Sequence, residues 1–415
     1  MRLSSIVRYL TAPALLVGVA IIALSTATPA AEAPPVNNFH DGKAGFVVNH
    51  IAYALGRDAS VSGACPNGMT EGYANWGDAF INQPTLARQD GEAEQTYLRR
   101  IFTAGMADPN VKNACMNPEL AAPDPRWKSV PAGSNVQVEG IDLDGQNSRA
   151  TGHAAPGTCS HDDFRGMNGA PGIDNQFYRV VGCTHTFQST GQSNGFEIEM
   201  YTGSWGILVT LSGVDNMQND SDITVGIYAN NDPMELSPTR EALPNATYAI
   251  EQNPRYQAVA HGRIVNGVIT TDPTTVRFHW IVNSIREDRE LDDARVWLTF
   301  TPSGGLEGYL AGYVPVESLY NVQFGFRDGT DGSGNLAPLR LRTVSSIGYA
   351  FTQHHSCNGA YYALKAAADG HRDPHTGQCS AVSTQFKISA IPAFVVDQAT
   401  TSSNSNLDHA PSTQY

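Results

Sequence analysis

Residues 262–270 read GRIVNGVIT, two short stretches of alternating polar and apolar residues that meet at Asn266-Gly267. Asparagine and glycine readily adopt the positive φ angles that the two central positions of a type I′ turn require. This turn matches the twist of two antiparallel strands, so the stretch predicts a β-hairpin.

Short strands are predicted on both sides of this hairpin. They share apolar or alternating runs bounded by turn residues, and they lie at 195–201, 205–212, 223–228, 276–282, 294–300, 306–314 and 388–395. Strands at this spacing favour a mainly β fold, and more specifically an antiparallel β-sandwich or jelly roll. One helix is predicted among them, at 359–368.

The chain before the β region has a different pattern. Residues 41–130 are expected to form a small mixed α/β unit, with a helix or buried strand at 45–55 and a helix at 92–106. Residues 131–399 would then form the β-domain. The segment 34–40 is interpreted as a linker, and the polar segment 400–415 as a disordered tail.

Residues 1–33 have the order of features that is typical of a secretory signal peptide. Arg2 and Arg8 precede an apolar run from Leu10 to Leu24, and small residues continue to Ala33. An uncleaved membrane anchor is the alternative, because the run is only slightly shorter than the roughly 20 residues of a span. The small residues favour cleavage, so we expect a periplasmic or secreted protein with no membrane span after the signal is removed.

The six cysteines are interpreted as a disulfide framework, as is usual for an exported chain. Pairing of sequence neighbours predicts Cys65 with Cys115, Cys159 with Cys183, and Cys357 with Cys379. Other connectivities are possible. A metal site is the alternative, but the sequence contains no Cys-x-x-Cys motif.

The run from residue 140 to residue 183 reads GIDLDGQNSRATGHAAPGTCSHDDFRGMNGAPGIDNQFYRVVGC, which is rich in glycine and in oxygen-bearing side chains. Ca²⁺ binds about six to eight oxygens in flexible geometry, and glycine permits the bends between its ligands. The candidate ligands all carry a carboxylate or amide oxygen, and they are Asp142, Asp144, Asp162, Asp163, Asp174 and Asn175. The alternative is a set of Asx turns, in which these side chains accept hydrogen bonds from their own backbone.

Two blocks contain unusual combinations of residues. One reads GIDNQ at 172–176 and continues to Arg179 and Gly182-Cys183, and the other reads ADG at 368–370 and continues to Asp373-Pro374 and TGQC at 376–379. Together with shorter blocks at 65–68, 213–215, 219–220 and 225–228, they resemble a group of exported bacterial proteins with GIDNQ-x-x-R-x-x-GC and ADG-x-x-DP-x-TGQC motifs. The resemblance spans most of the mature chain. It implies a common architecture but no reaction, because the group has no established activity.

Two further patterns could carry chemistry. His354 and His355 precede Cys357, while His371 and His375 precede Cys379, so a Cys357–Cys379 bond would bring imidazoles together. Imidazole and carboxylate ligands suit a hydrolytic zinc or copper site. The alternative is a set of solvated surface histidines.

Glu197 and Glu199 are two residues apart on the predicted strand 195–201, so both side chains would lie on one face. Retaining glycosidases use two carboxyl groups about 5–5.5 Å apart. The alternative is an exposed strand face that carries charge without catalysis.

The net charge is −14 and the isoelectric point is near 5.2, which disfavours nucleic acid and anionic lipid as partners. The sequence contains no nucleophile elbow, P-loop or dinucleotide motif. It therefore favours an exported, disulfide-stapled and calcium-stabilised β-protein that binds a ligand or serves a cell-envelope assembly. The alternative is a secreted glycoside hydrolase or a metal-dependent hydrolase.

Overall fold

A computed structural model describes residues 35–80, 86–107, 112–115, 117–147, 159, 161–191, 197–282, 285–320, 323–324, 350 and 354–397. The predicted signal peptide and the predicted tail at 400–415 lie outside these ranges. Within the ranges, no helix combines the length and the apolarity that a membrane span needs.

The strands follow one another in the order β1 (Ala44–Tyr53), β2 (Gln137–Val138), β3 (Arg165–Gly166), β4 (Ile207–Ser212), β5 (Asn219–Ala229), β6 (Ala246–Ala249), β7 (Gln257–Val265), β8 (Val268–Thr271), β9 (Thr274–Val282), β10 (Ile285–Phe300), β11 (Leu306–Pro315), β12 (Gln323–Phe324), β13 (Gly370–Arg372) and β14 (Cys379–Val396). The helices are α1 (Ala59–Ser62), α2 (Glu94–Ala107), α3 (Gln176–Val181), α4 (Glu197–Tyr201), α5 (Val316–Tyr320) and α6 (Cys357–Ala367). Short 3-10 turns lie at Trp76–Ala79, Pro118–Leu120, His185–Phe187 and Pro254–Tyr256.

The main sheet is antiparallel along a path that closes on itself. Its strands pair in the order β1, β4, β5, β7, β8, β10, β11 and β14, and β14 pairs again with β1. Neighbouring strands of this ring also follow one another in the chain, and two long excursions leave it, between β1 and β4 and between β11 and β14. The predicted mainly β, antiparallel fold is confirmed.

The hairpin predicted at Asn266-Gly267 is present and joins β7 to β8. Asn266 and Gly267 have φ angles of 51° and 79°, and Val265 pairs with Val268 on either side of them. Side chains along β7 alternate between exposed and buried, as period-two patterning predicts. The local turn chemistry therefore sets the register of this strand pair.

One cluster of buried side chains fills the interior of the ring. It includes Phe46 in β1, Val209 in β4, Ile227 in β5 and Phe386 in β14. Burial of each such side chain stabilises the fold by about 1.5–3 kcal/mol. The β9–β10 hairpin adds Phe278, whose ring centroid lies 5.9 Å from that of Trp205 and 6.3 Å from that of Phe386.

The segment predicted as a separate first unit contributes to the main sheet. Its strand β1 pairs with both β4 and β14, which are distant in sequence. The helix predicted at 92–106 corresponds to α2, and the helix predicted at 359–368 corresponds to α6. The domain boundary at residue 130 stays a prediction.

Candidate functional site

Three disulfide bonds cross-link the first excursion internally, to the second excursion and to the first residue of β14. They join Cys65 to Cys183, Cys115 to Cys357, and Cys159 to Cys379, with Cα–Cα distances of 5.7, 4.8 and 5.5 Å. The predicted pairing of sequence neighbours is therefore wrong. Its assumption of local loops fails because the long excursion between β1 and β4 packs against itself, against the second excursion and against the start of β14.

The disulfide framework itself is confirmed, and all six cysteines are bonded. Disulfides persist in oxidising compartments, so these bonds are consistent with an exported protein. They close segments of 118, 242 and 220 residues, and each would contribute about 5 kcal/mol by restricting the unfolded chain.

The acidic loop brings three of the predicted calcium ligands together. One carboxylate oxygen from each of Asp142, Asp144 and Asp174 lies within 4.8 Å of the other two. Asp142 and Asp144 belong to the loop after β2, and Asp174 lies two residues before α3. In the described part of the chain, this is where three carboxylate, imidazole or thiolate atoms meet at such distances.

The predicted Asx turns are also present in this loop. Asp142 Oδ1 accepts the backbone N–H of Gly145 at 2.6 Å, and Asp144 Oδ1 accepts that of Gln146 at 2.8 Å. An ionised carboxylate offers about four acceptor positions, so one N–H leaves capacity for a cation. The turns fix the two carboxylates in place. A calcium site and a set of Asx turns, which the sequence presents as alternatives, are therefore compatible.

Asp174 is the buried member of this group, with 4% of its surface exposed. Its Oδ2 accepts the backbone N–H of Leu143 at 2.6 Å and that of Asp144 at 3.3 Å. Burial, together with the carboxylates of Asp163, Asp144 and Asp369, raises the pKa of Asp174 to about 8. The surroundings of Asp174 therefore disfavour its negative charge, which a bound cation would relieve.

A second buried acid lies behind the first. Burial raises the pKa of Asp369 to about 7, while the backbone N–H of Ser383, which donates to Asp369 Oδ1 at 2.7 Å, opposes the rise. Asp163 is 5% exposed, and its charge raises the pKa of both Asp174 and Asp369. Carboxyl groups are thus concentrated beside the loop, and together with burial they disfavour ionisation of Asp174 and Asp369.

Arg179 is a buried cation beside these acids, and burial lowers its pKa to about 10. Its Nε donates to Gln176 Oε1 at 2.6 Å, and one terminal nitrogen donates to the carbonyl of Pro131 at 3.0 Å. The other terminal nitrogen donates to the carbonyl of Asp162, and the guanidinium lies 4.4 Å from the ring centroid of Phe164. Through these contacts Arg179 links α3 to the chain segments at Pro131 and Asp162.

Two other predicted ligands have structural partners. Asp162 Oδ2 accepts the backbone N–H of Gly133. Asn175 caps α3 by accepting the N–H of Tyr178 at 3.1 Å, and its amide donates to the carbonyl of Ala54 at 2.5 Å. The role of these side chains, and that of Asp163, as calcium ligands stays a prediction.

The GIDNQ block and the ADG block influence each other and contact residues near one another in the sequence, since the carboxylate of Asp369 raises the pKa of Asp174. The backbone N–H of Gln176 donates to Ser383 Oγ at 2.9 Å, His161 Nε2 lies 2.8 Å from the carbonyl oxygen of Ala368, and Cys159 is bonded to Cys379. The resemblance to exported bacterial proteins stays a prediction.

Gln385 in β14 is a positioning residue that sequence reasoning missed. Its Oε1 accepts the N–H of Ile141 at 2.6 Å, and its Nε2 donates to the carbonyls of Ile141, at 2.7 Å, and Asp174. Ser383, Thr384 and Gln385 are three consecutive polar residues, each at most 1% exposed, in a strand whose other buried residues are apolar. That polar interruption is the signal that could have identified it.

The histidine cluster lacks the disulfide that was expected to assemble it. Cys357 bonds Cys115 and Cys379 bonds Cys159, so no Cys357–Cys379 bond draws the two histidine segments together. His371 Nε2 instead lies 3.2 Å from a carboxylate oxygen of Asp293. A hydrolytic metal site at His354, His355, His371 and His375 stays a prediction.

Glu197 and Glu199 lie in helix α4, so the strand predicted at 195–201 is wrong over the residues that the structure describes, 197–201. Residues two apart on a helix do not face each other, so the expected pairing on one face is lost. The helix is favoured because it buries Met200, which is 1% exposed, while Ile198 is 70% exposed.

A cavity of about 130 Å³ lies among β1, β10, α3, α5 and α6. Its wall is mainly apolar and includes Phe177, Val181, Phe187, Leu319 and Leu364. The polar groups on the wall include the side chains of Arg289, Thr184 and His355. An apolar pocket with a few convergent polar groups is the usual form of a small-molecule site.

Comparison of the chain with protein-family models, curated proteins and solved structures gave no match.

Proposed function

We propose that this chain is an exported binding protein whose acidic loop is held in place by Ca²⁺. The observation that carries the proposal is the convergence of Asp142, Asp144 and Asp174 beside buried acids. Oxygen ligands on a glycine-rich loop suit Ca²⁺, which accepts irregular geometry, better than Mg²⁺, which requires a near-ideal octahedron. The cation would neutralise Asp174 and fix the loop against β14.

The support for a binding role comes from the scaffold. The cavity has apolar walls and a few polar groups. The acidic loop is attached to β14 through Gln385, and the disulfides attach the surrounding segments to one another. A pre-formed cavity in a cross-linked framework favours ligand binding, because little conformational entropy is lost when the ligand enters.

The hydrolase alternative receives less support. Glu197 and Glu199 lie on a short helix, where they do not form the paired face that a glycosidase needs. A role in a cell-envelope assembly is the other candidate function, and it would require contacts with another protein.

The test of the calcium proposal is calorimetric titration of the chelator-treated mature protein with Ca²⁺, Mg²⁺ and Zn²⁺, together with native mass spectrometry. We expect one Ca²⁺ per chain and a raised melting temperature in millimolar Ca²⁺. Substituting Asp142→Asn and Asp144→Asn together should weaken Ca²⁺ binding at least about tenfold, since two charged ligands are lost.

The matched control is Asp215→Asn together with Asp222→Asn, which alters two exposed carboxylates, one in the loop before β5 and one in β5 itself. This control should bind Ca²⁺ as the parent does. If the parent protein shows neither bound Ca²⁺ nor a change in melting temperature, the acidic loop is held by its Asx turns alone and the calcium proposal fails.

A further inference from the structure

The cavity described above combines an aromatic wall with a buried guanidinium. The ring centroids of Tyr53 and Phe177 lie 4.6 Å apart in a stacked arrangement. Phe187 meets Phe177 edge to face at 5.5 Å and lies 5.7 Å from Tyr53. These three side chains line the cavity, and together they give it an aromatic wall suited to another aromatic ring.

Arg289 enters the cavity wall from β10 and is 2% exposed. Its neighbours Asp288 and Glu290 have the opposite orientation on the strand and pair with Arg255 and Arg277 respectively. The strand therefore presents a cation to the cavity and carboxylates to its other face. A guanidinium in such a site can bind a carboxylate through two parallel hydrogen bonds.

Other cavity-lining groups add polarity without adding negative charge. Tyr320 donates its hydroxyl to the carbonyl of Cys115 at 2.8 Å, and Thr184 donates its hydroxyl to the carbonyl of Val181 at 2.7 Å. The imidazole of His355 lies edge-on to Trp127, with ring centroids 5.9 Å apart. No Asp or Glu is among the residues that line the cavity, counted over the described chain. The cavity is therefore suited to an anion.

We propose that this cavity binds a small aromatic monocarboxylate, with its carboxylate at Arg289 and its ring among Tyr53, Phe177 and Phe187. The volume of about 130 Å³ fits this size, because an apolar cavity of about 150 Å³ holds one benzene molecule. The proposal rests on the proposed binding function and names its ligand class. Larger aromatic acids would have to leave part of their surface outside.

Benzoate is the probe that tests this proposal, and benzyl alcohol is its neutral counterpart. Both are titrated into the full mature protein by ligand-observed and protein-observed NMR. We expect saturable benzoate binding and binding of benzyl alcohol that is at least about tenfold weaker, because only the carboxylate forms charge-assisted hydrogen bonds. Equal affinities would overturn the assignment of a carboxylate, and absence of benzoate binding would overturn the proposal.

Two variants and one control locate the site. Arg289→Met should weaken benzoate binding at least about tenfold, whereas Arg255→Met, which removes an exposed arginine, should leave it unchanged. Ala360→Phe keeps Arg289 but fills the cavity, and it should abolish binding even if Arg289→Met does not fold. Retention of parent affinity in a folded Ala360→Phe protein would overturn the proposal.

The titrations are repeated with Ca²⁺ and with chelator, so that the two proposals can fail separately. Ca²⁺ binding without benzoate binding would overturn the ligand class and leave the calcium proposal standing. Benzoate binding in a protein that binds no Ca²⁺ would support the cavity and overturn the calcium proposal.

Discussion

Removal of Ca²⁺ by a chelator is expected to make the stability of this protein depend on pH through Asp174. Burial and the nearby acids raise the pKa of Asp174 to about 8 in the folded chain, whereas an unfolded chain gives aspartate a pKa of about 4. Between these values the folded state keeps a proton that the unfolded state has released. The free energy of unfolding is therefore greatest below about pH 4 for this group, and it falls as pH rises towards about 8.

The size of this change in the free energy of unfolding is set by the single proton that Asp174 binds. A difference of one bound proton changes the free energy of unfolding by about 1.4 kcal/mol per pH unit. From about pH 5 to about pH 8 we expect a loss of about 4 kcal/mol in chelator, a large part of the 5–15 kcal/mol that is typical of folded proteins. Asp369, whose pKa burial raises to about 7, steepens the fall in the same direction. Saturating Ca²⁺ should abolish most of the fall, because the cation takes the place of the proton.

The assay is urea unfolding followed by tryptophan fluorescence, with the disulfides intact and at several pH values, in chelator and in Ca²⁺. Asp174→Asn keeps the shape of the side chain but cannot titrate, so it should lose both the steep pH dependence and the stabilisation by Ca²⁺. Asp215→Asn, an exposed counterpart, should keep both. A parent protein with pH-independent stability in chelator, or an Asp174→Asn variant with the parental slope, would refute the reasoning.

Two further predictions concern the frame around the acidic loop. Gly172→Ala and Gly169→Ala both place a side chain at a positive φ, of 77° and 85°, but only at Gly172 would the new Cβ lie close to another backbone atom, 2.6 Å from the oxygen of Gln146. Gly169→Ala should cost about 1–2 kcal/mol in urea unfolding, and Gly172→Ala should cost more because of this close contact. Only Gly172→Ala should also weaken Ca²⁺ binding; equal Ca²⁺ affinities would contradict this geometry. Gln385→Leu leaves one N–H and two carbonyls of the loop without their partner, so unfolding should show a loss of about 3 kcal/mol or more. The exposed Gln378→Leu should change stability by less than about 0.5 kcal/mol, and a similar loss in both variants would count against the role of Gln385.

The parts of the fold that depend on neighbouring residues could be predicted from the sequence. The hairpin at Asn266-Gly267 is such a case, because the turn and both strands lie within a few residues. The strand predicted over EIEMY at 197–201 was wrong, because the same alternation of residues also suits a short helix that buries Met200. Closure of the sheet depends on the pairing of β1 with β14, hundreds of residues apart, and no local pattern encodes it.

The same distinction applies to the site. The Asp-x-Asp-Gly turn placed Asp142 and Asp144 correctly on one loop, because its geometry is local. Which later acid would join them depended on the path of the chain into α3, and that acid is Asp174. The contribution of Gln385 and the cavity at Arg289 depend on tertiary packing, so the sequence alone could not predict them.

The order in which the cysteines leave the ribosome has a consequence for maturation. Cys65 precedes its partner Cys183 by 118 residues, and both Cys115 and Cys159 emerge between them. An oxidant that joins the first available thiols would therefore produce Cys65–Cys115, a bond that the folded chain does not contain. Exchange of thiolates with such early bonds is the chemical route to the final pattern. We therefore expect the yield of native protein to depend on a disulfide isomerase in the compartment where the protein folds, and not on an oxidant alone.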